Sequence, residues 1–511
     1  MKETKDIFSK LECILKRLEC IRNKKNIESL GTMFESDGYL YYYDTGTGKV
    51  INVDYDINKI IKRLFTYEDN VDSFIKYMKD EGISNEKLRE FIEFVYEEDL
   101  LKGVDINNLY TVEYLQYVKN QVNNNCGQLI LELTGRCNLR CKYCIYNDSY
   151  ENMRNFNCND MTTDVIRKAI DYVKEHSKDE VDITFYGGEP LLRFEEMKYA
   201  IEYAKETIRD KVISYGFTTN LTLLNEKIAK YLASVGNMHI LCSIDGPEDV
   251  HDRCRVFKNG EGTHKQVMKN FDILVNAFKN AKNSTVKVNS VLTPPFTFEK
   301  MNYINNYFNK FKNKIKDFSV EITYPVDGSL PEEFYDETLQ VSNVIDRWNK
   351  DSFYKKYDIC INEEMVWKDL FRIHNRLITQ QASNWVPFNA CCIPGARRIY
   401  VDTEGYIYPC ERIGKAPILG HVDYGIKLDE LLKNYIIDYS KKSIDSCKNC
   451  WAVKMCPICY VNRMTEKEIS GRAHLNCELY RQAIKSDLSF YHSMLNKKPE
   501  RLKKINEISY Y

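Results

Sequence analysis

The run Gly135-Arg136-Cys137-Asn138-Leu139-Arg140-Cys141-Lys142-Tyr143-Cys144 follows directly on the apolar stretch Leu129 to Leu133. Three thiolates can hold three irons of a [4Fe-4S] cube, leaving the fourth iron without a protein ligand and open to a small molecule. An open coordination position separates a catalytic metal site from a structural one. The spacing also differs from the four-cysteine runs that fully ligate an electron-transfer cluster.

Composition supports metal chemistry over other classes. Lys+Arg (73) and Asp+Glu (74) nearly cancel, so the chain carries no electrostatic footprint for nucleic acid or an anionic membrane. No apolar run reaches spanning length, and Met1-Lys2-Glu3-Thr4-Lys5-Asp6 lacks a signal-peptide core, which predicts a cytoplasmic protein. In a reducing cytosol 18 cysteines do not read as a disulfide framework, and metal ligation becomes the leading explanation. The length of 511 residues predicts two to four domains.

Apolar spacing over 5–23 predicts an opening amphipathic helix, with Cys13 and Cys20 as packing or surface residues. Tyr39 to Tyr43 and Val50 to Val53 read as strands joined by the loop Asp44-Thr45-Gly46-Thr47-Gly48, and helical patterns follow near 56–66, 70–81 and 85–98. From 128 onward strand candidates at 128–134, 181–186, 212–218, 238–244, 285–292 and 317–323 alternate with helices near 163–176, 195–209, 224–235, 265–279 and 298–312. Repeated strand-helix units imply a parallel sheet with functional residues at the carboxyl ends of the strands. Residues 335–380 read as a helical bridge to a cysteine-dense region, 391–477. Leu479 to Leu495 reads as a packing helix, and the cationic stretch Lys497 to Lys504 as part of a solvated, frayed tail.

The cysteine loop, with Tyr143 before its last cysteine, resembles that of the radical SAM superfamily. The resemblance extends to three further segments. Gly187-Gly188-Glu189-Pro190 follows the second strand, where the family keeps a turn that binds the methionyl amino group of S-adenosylmethionine. Phe217-Thr218-Thr219-Asn220-Leu221 matches a Thr-Asn-Gly segment except that Leu221 replaces the glycine; polar cofactor contacts are expected from Thr219 and Asn220. Leu241-Cys242-Ser243-Ile244-Asp245-Gly246-Pro247, followed by His251-Asp252 and Arg255, implies that Ser243 bonds the ribose or methionyl part and Arg255 neutralises the carboxylate. Asp245 is open to either a turn or a site role, and His251 reads as structural.

The C-terminal cysteines resemble the SPASM module: Cys392, Gly405 and Cys410 its opening, Cys447, Cys450, Cys456, Cys459 and Cys477 its close. Two residues separate Cys456 from Cys459 where the family has three. The resemblance implies a first auxiliary [4Fe-4S] cluster on Cys392, Cys410 and Cys459, with Cys391 as candidate fourth ligand unless that iron is left for a substrate thiolate. A second is implied on Cys447, Cys450, Cys456 and Cys477. Cysteine pairs of this kind also form structural zinc sites, which is the alternative for this region. Cys126, Cys158, Cys242, Cys254 and Cys360 lack partner spacing and are expected to be buried thiols.

The fold class expected from these motifs is α/β, a partial (β/α)6 radical SAM barrel over 126–330. An N-terminal winged-helix-like domain (1–125) precedes it; a helical bridge (331–385), a SPASM domain (386–480) and a C-terminal helix and tail (481–511) follow. The N-terminal domain resembles the peptide-recognition element of ribosomal-peptide maturases, where a leader peptide adds a strand to a sheet edge. The resemblance implies three [4Fe-4S] clusters and S-adenosylmethionine as cofactors, and partners consisting of a precursor peptide with a leader and a flavodoxin- or ferredoxin-type electron donor. The reaction expected is cleavage of S-adenosylmethionine to a 5'-deoxyadenosyl radical and peptide modification, with a sulfur-to-carbon thioether as the product. The alternatives are maturation of a folded enzyme, such as a sulfatase, and a non-catalytic zinc-binding interaction protein. No catalytic acid or base is identified.

Overall fold

The computed structural model of the chain describes all residues except 1, 25–26, 67–69, 148–154, 296, 313–314, 316–317, 326–328, 335–369, 387–391, 415, 464–467, 473–476 and 508–511. The N-terminal unit opens with the helix Lys2–Lys24 and builds an antiparallel sheet of β1 (Gly31–Ser36), β2 (Tyr39–Asp44) and β3 (Val50–Val53), in that order. The hairpin loop and the helices Tyr55–Thr66, Val71–Asp80 and Asn85–Glu97 fall where the sequence pattern puts them. Strand β1 carries no such pattern: Gly31-Thr32-Met33-Phe34-Glu35-Ser36 has only two apolar residues, and its pairing to β2 is a tertiary effect.

Six strands then run parallel as successive neighbours: β4 (Gln128–Thr134), β5 (Glu180–Gly187), β6 (Val212–Thr219), β7 (Met238–Ser243), β8 (Thr285–Val291) and β9 (Val320–Thr323). Each connection contains a helix: Thr163–His176, Phe194–Thr207, Glu226–Val235, His264–Phe278 and Phe298–Asn309. Strand β4 is buried along nearly its whole length, which explains its almost unbroken apolar sequence. Side-chain caps start three of the helices, where Thr162, Asn225 and Thr297 accept from the backbone N–H of Val165, Ile228 and Lys300.

The sheet continues beyond β4. Strand β10 (Ile399–Val401) pairs with it in parallel, and β11 (Tyr406–Tyr408), β12 (Gly420–His421) and β13 (Gly425–Ile426) extend it antiparallel to ten strands. The cysteine-rich region is thus joined to the barrel by backbone hydrogen bonds. One apolar cluster runs through both, from Leu129 and Leu131 to Ile399, Val401 and Tyr435.

Three expectations are corrected. Within the helical bridge, residues 370–374 are helical but 376–386 are not. The backbone of this segment bonds the β2–β3 turn instead of itself, with Thr379 N donating to Thr47 O (2.9 Å) and Ser383 N to Gly46 O (2.9 Å). The stretch after the helix Cys477–Lys497 is no frayed tail: Pro499–Leu502 and Lys503–Glu507 are helical turns anchored by buried Leu502 and Ile505. Cys158 is exposed, whereas Cys126, Cys242 and Cys254 are buried as expected and Cys360 lies outside the described residues. Among the described residues no helix is long and apolar enough to cross a membrane.

Candidate active site

The carboxyl ends of β4 to β8 bring the motif residues together. A register irregularity between Glu132 and Thr134 turns the end of β4 into the cysteine loop. The loop lies antiparallel to residues 254–257: Arg140 N donates to Val256 O (2.9 Å), Lys142 N to Cys254 O (3.0 Å), and Leu139 bridges Phe257. This pairing holds Arg255 beside the sulfurs.

The glycine turn permits the loop's position. Gly187 has φ +134°, and a Cβ there would strike Thr134 O; a Cβ on Gly188 would strike Arg136 O and Cys137 N. Glu189, completely buried, places both oxygens on the end of β6 and its own turn. Oε1 accepts from Thr219 Oγ1 (2.8 Å) and Leu191 N (3.1 Å), and Oε2 from Asn220 N (2.7 Å). Burial pushes this carboxyl up while those three donors pull it back. Asn220 likewise ties β6 to the cysteine loop, its Nδ2 donating to Asn138 Oδ1 (3.0 Å) and its Oδ1 accepting from Thr222 N (2.9 Å). The chain's own groups therefore occupy much of the polar capacity that the sequence assigned to cofactor contacts.

Leu221 takes the left-handed conformation (φ +64°) that the glycine of the family pattern would favour, and its side chain is fully buried. The strain, about 1–2 kcal/mol, is held by Asn270 Nδ2 on Leu221 O (2.8 Å) and Gln266 Nε2 on Thr222 O (2.6 Å). Leu221→Gly should relieve that strain yet lose a buried leucine worth more, giving a net destabilisation of roughly 2–4 kcal/mol in denaturant titration. A variant as stable as the parent would show that backbone strain dominates.

Tyr143 links the loop to the end of β7. Its hydroxyl donates to Asp245 Oδ2 (2.7 Å) and accepts from Arg255 Nη1 (2.7 Å), all three groups being buried. Asp245 Oδ1 accepts from Val291 N (3.1 Å) and its carbonyl from Ser290 Oγ (2.9 Å), so the residue knits β7 to β8. Asp245 N donates to His251 Nδ1 (3.2 Å), which fixes the proton on Nε2, facing Thr263 Oγ1 at 3.0 Å; that hydroxyl donates to Arg255 O (2.9 Å). Burial, with Arg255 and His264 adding to it, holds His251 well below its ordinary value. Ser243 sits at the buried end of β7. The phenol of Tyr143 and the amide of Asn138 were missed by sequence reasoning, because their partners lie about a hundred residues away for Tyr143 (Asp245) and over eighty for Asn138 (Thr222).

The donor set fits a cluster and S-adenosylmethionine. Burial pushes the thiols of Cys137 and Cys144 up to about 12, and Cys141 contributes to both. Ionising three such sulfurs side by side requires a strong local positive charge, which bound iron supplies. Arg255 Nε is buried with no hydrogen-bond partner among the described residues, a donor suited to a carboxylate.

The C-terminal cysteines fall into two groups. Burial pushes Cys410 up to about 12, with Glu411 and Cys459 adding, and Arg398 bears on both Cys410 and Cys392. Burial pushes Cys447 up to about 12, with Cys456, Cys450 and Cys477 adding and the buried Arg472 opposing. Cys459 thus acts on Cys410, and Cys456 on Cys447 and Cys450, so these two cysteines, separated by two residues, fall to different groups. Cys391 lies outside the described residues. Among the described residues no group of three or more His, Cys, Asp or Glu closes as tightly as the shell of a single metal ion; in a cubane each thiolate binds a different iron.

Residues 131–306 match the Radical SAM superfamily, and with the fold and the cysteine loop they define a radical SAM enzyme. Within that superfamily, the radical SAM cyclopropyl synthase TigE of Paramaledivibacter caminithermalis is 24% identical over 485 residues, 89% of this chain and 94% of that one. The cysteine-type anaerobic sulfatase-maturating enzyme of Clostridium novyi is 24% identical over 374 residues, 70% of this chain and 93% of its own. The solved structure of anSMEcpe with bound AdoMet matches 75% of this chain and all of that one, with 21% identity and a TM-score of 0.53.

Proposed function

We propose that this radical SAM enzyme matures a ribosomally made peptide, closing a new bond at an unactivated carbon. A [4Fe-4S] cluster held by Cys137, Cys141 and Cys144 supplies, when bound, the electron that cleaves S-adenosylmethionine to methionine and a 5'-deoxyadenosyl radical. Arg255 takes the carboxylate of S-adenosylmethionine; its unpartnered Nε at the strand ends is the observation that carries this assignment. Glu189, Thr219 and Asn220 hold the ends of β5 and β6 and the cysteine loop in register. Gly188 N donates to Thr134 O (3.0 Å), so the carbonyl side of the glycine turn, with the Ser243 hydroxyl, is assigned to the methionyl part. The C-terminal groups, Cys392, Cys410 and Cys459 with Cys391, and Cys447, Cys450, Cys456 and Cys477, hold two auxiliary clusters.

The peptide reading is supported by a relative of the barrel, anSMEcpe, solved with the Kp18Cys peptide bound. It is supported as well by the N-terminal sheet, whose strand β3 has β2 on one side and no further strand on the other among the described residues. A leader docked on β3 would hold the peptide at high local concentration. The product assigned from sequence is a sulfur-to-carbon thioether. The near full-length match to a cyclopropyl synthase favours, as second product, carbon–carbon closure within the peptide. Either removes two hydrogens from the peptide, one taken by the deoxyadenosyl radical and one leaving as a proton and an electron that an auxiliary cluster would accept.

The test is anaerobic co-expression with short peptides encoded beside the gene, followed by mass spectrometry and thiol alkylation. A loss of two hydrogens with one alkylatable thiol gone marks the thioether; the same loss with every thiol retained marks the carbon–carbon ring. Removing the peptide's leader should sharply reduce either. The C. novyi relative supports the remaining reading, maturation of a folded protein such as a sulfatase. Conversion of a sulfatase cysteine or serine, with all the short peptides unchanged, would sink the peptide reading.

A further inference from the structure

The five residues Trp451 to Met455 between Cys450 and Cys456 have little structure of their own, a single 3-10 turn over Val453–Met455. What fixes them comes from the other end of the chain. Thr45 Oγ1 donates to Trp451 O (3.0 Å), and Lys454 Nζ donates to Gly46 O (2.7 Å) and Ser383 O (2.9 Å). Tyr43 meets the Trp451 ring edge-on at 6.2 Å, and Phe34, Tyr41 and Tyr43 share one apolar cluster with Trp451, Ala452 and Met455.

Lys454 is only 3% exposed, and a buried ammonium is tolerated only where acceptors replace its water. Both hydrogen-bond acceptors named are backbone carbonyls, one supplied by the β2–β3 turn and the other by the segment that wraps it. The turn is braced from its own side too: Asp44 accepts from Thr47 N (2.8 Å), Thr47 Oγ1 (2.8 Å) and Leu101 N (2.9 Å). Arg376 Nε also donates to Gly48 O (2.9 Å). A rigid turn built by the N-terminal unit is thus pressed into the loop that carries two sulfurs of the second C-terminal group.

We propose that the β2–β3 turn is a structural part of this cysteine site, with Lys454 as its positioning residue, holding the Cys450–Cys456 loop in the shape in which its sulfurs take a cluster. This rests on the reading that Cys447, Cys450, Cys456 and Cys477 ligate one. The N-terminal unit then serves the metal site as well as any peptide it docks, and deleting residues 1–125 cannot isolate the docking role.

The test uses the full chain carrying Cys137→Ala, Cys141→Ala and Cys144→Ala, anaerobically reconstituted, with iron counted and auxiliary clusters followed by electron paramagnetic resonance. This parent should hold about eight irons. Lys454→Met keeps the apolar stem and removes the hydrogen bonds to Gly46 O and Ser383 O. Gly48→Ala leaves Lys454 in place and moves the turn from within the N-terminal unit, because Gly48 has φ +74° and a Cβ there would strike Leu377 O. It guards against a folding defect peculiar to the lysine variant. Each should fall to about four irons, keeping one auxiliary signal. Both variants retaining about eight irons with unaltered spectra would overturn the proposal. A parent that itself holds about four irons or fewer overturns the cluster reading, and the proposal with it.

Discussion

Replacing Cys137, Cys141 and Cys144 together by alanine is expected to abolish cleavage of S-adenosylmethionine and to lower bound iron from about twelve to about eight per chain. The three sulfurs lie on a loop tied at both ends: to β5 through the glycine turn, and to residues 254–257 through the pairing of Leu139 with Phe257. Their loss therefore removes a metal site without removing the scaffold. The C-terminal cysteines lie outside the six parallel strands β4 to β9, on segments that flank and follow β10 to β13, and should keep their iron. Elemental analysis and turnover to 5'-deoxyadenosine check both halves. Zinc without iron in the unaltered chain would overturn the radical mechanism. About four irons plus zinc would keep the radical core and make the C-terminal groups structural.

Arg255→Met should combine a large loss of affinity for S-adenosylmethionine with a loss of about 3–5 kcal/mol in stability. The stability effect follows from the buried chain Arg255, Tyr143, Asp245. Burial pushes the Asp245 carboxyl up, and Arg255 is the first of the groups that counter it. Without the guanidinium, a carboxylate that is 1% exposed loses its opposing charge. Adding Asp245→Asn should recover much of the stability, because removing both charges leaves neither stranded. It should recover none of the cofactor affinity. Calorimetric titration of S-adenosylmethionine and denaturant unfolding of the two variants separate these effects. Equal affinity in Arg255→Met and the unaltered enzyme would remove Arg255 from the cofactor site and reduce its role to holding the loop.

Much of this was legible in the sequence because the barrel's signals are local. Alternation of apolar strands with amphipathic helices located β4 to β8 to within about two residues of their ends, and the cysteine and glycine motifs fell at the strand termini. What was illegible depends on distant partners. Strand β1 has too few apolar residues to announce itself and exists by pairing with β2. The segment 376–386 carries no turn signature because its hydrogen bonds go to residues 46–48. Tyr143 was read as an aromatic, and only its position between Asp245 and Arg255 makes its hydroxyl matter. Leu221 shows the converse: a leucine where the pattern has glycine puts the backbone after Asn220 in doubt, and the chain meets the same left-handed demand with a leucine whose burial compensates.

The parallel pairing of β10 with β4 also sets an order of assembly. Leu129 pairs with Ile399, residues 270 positions apart (399 − 129), so β4 acquires its second neighbour only after most of the chain has been synthesised. Until then the strand that feeds the cysteine loop is an open sheet edge. Closing that edge ties the cysteine-rich region to the strand that leads into the cysteine loop, so a chain ending before residue 399 would leave β4 exposed to pairing with other chains.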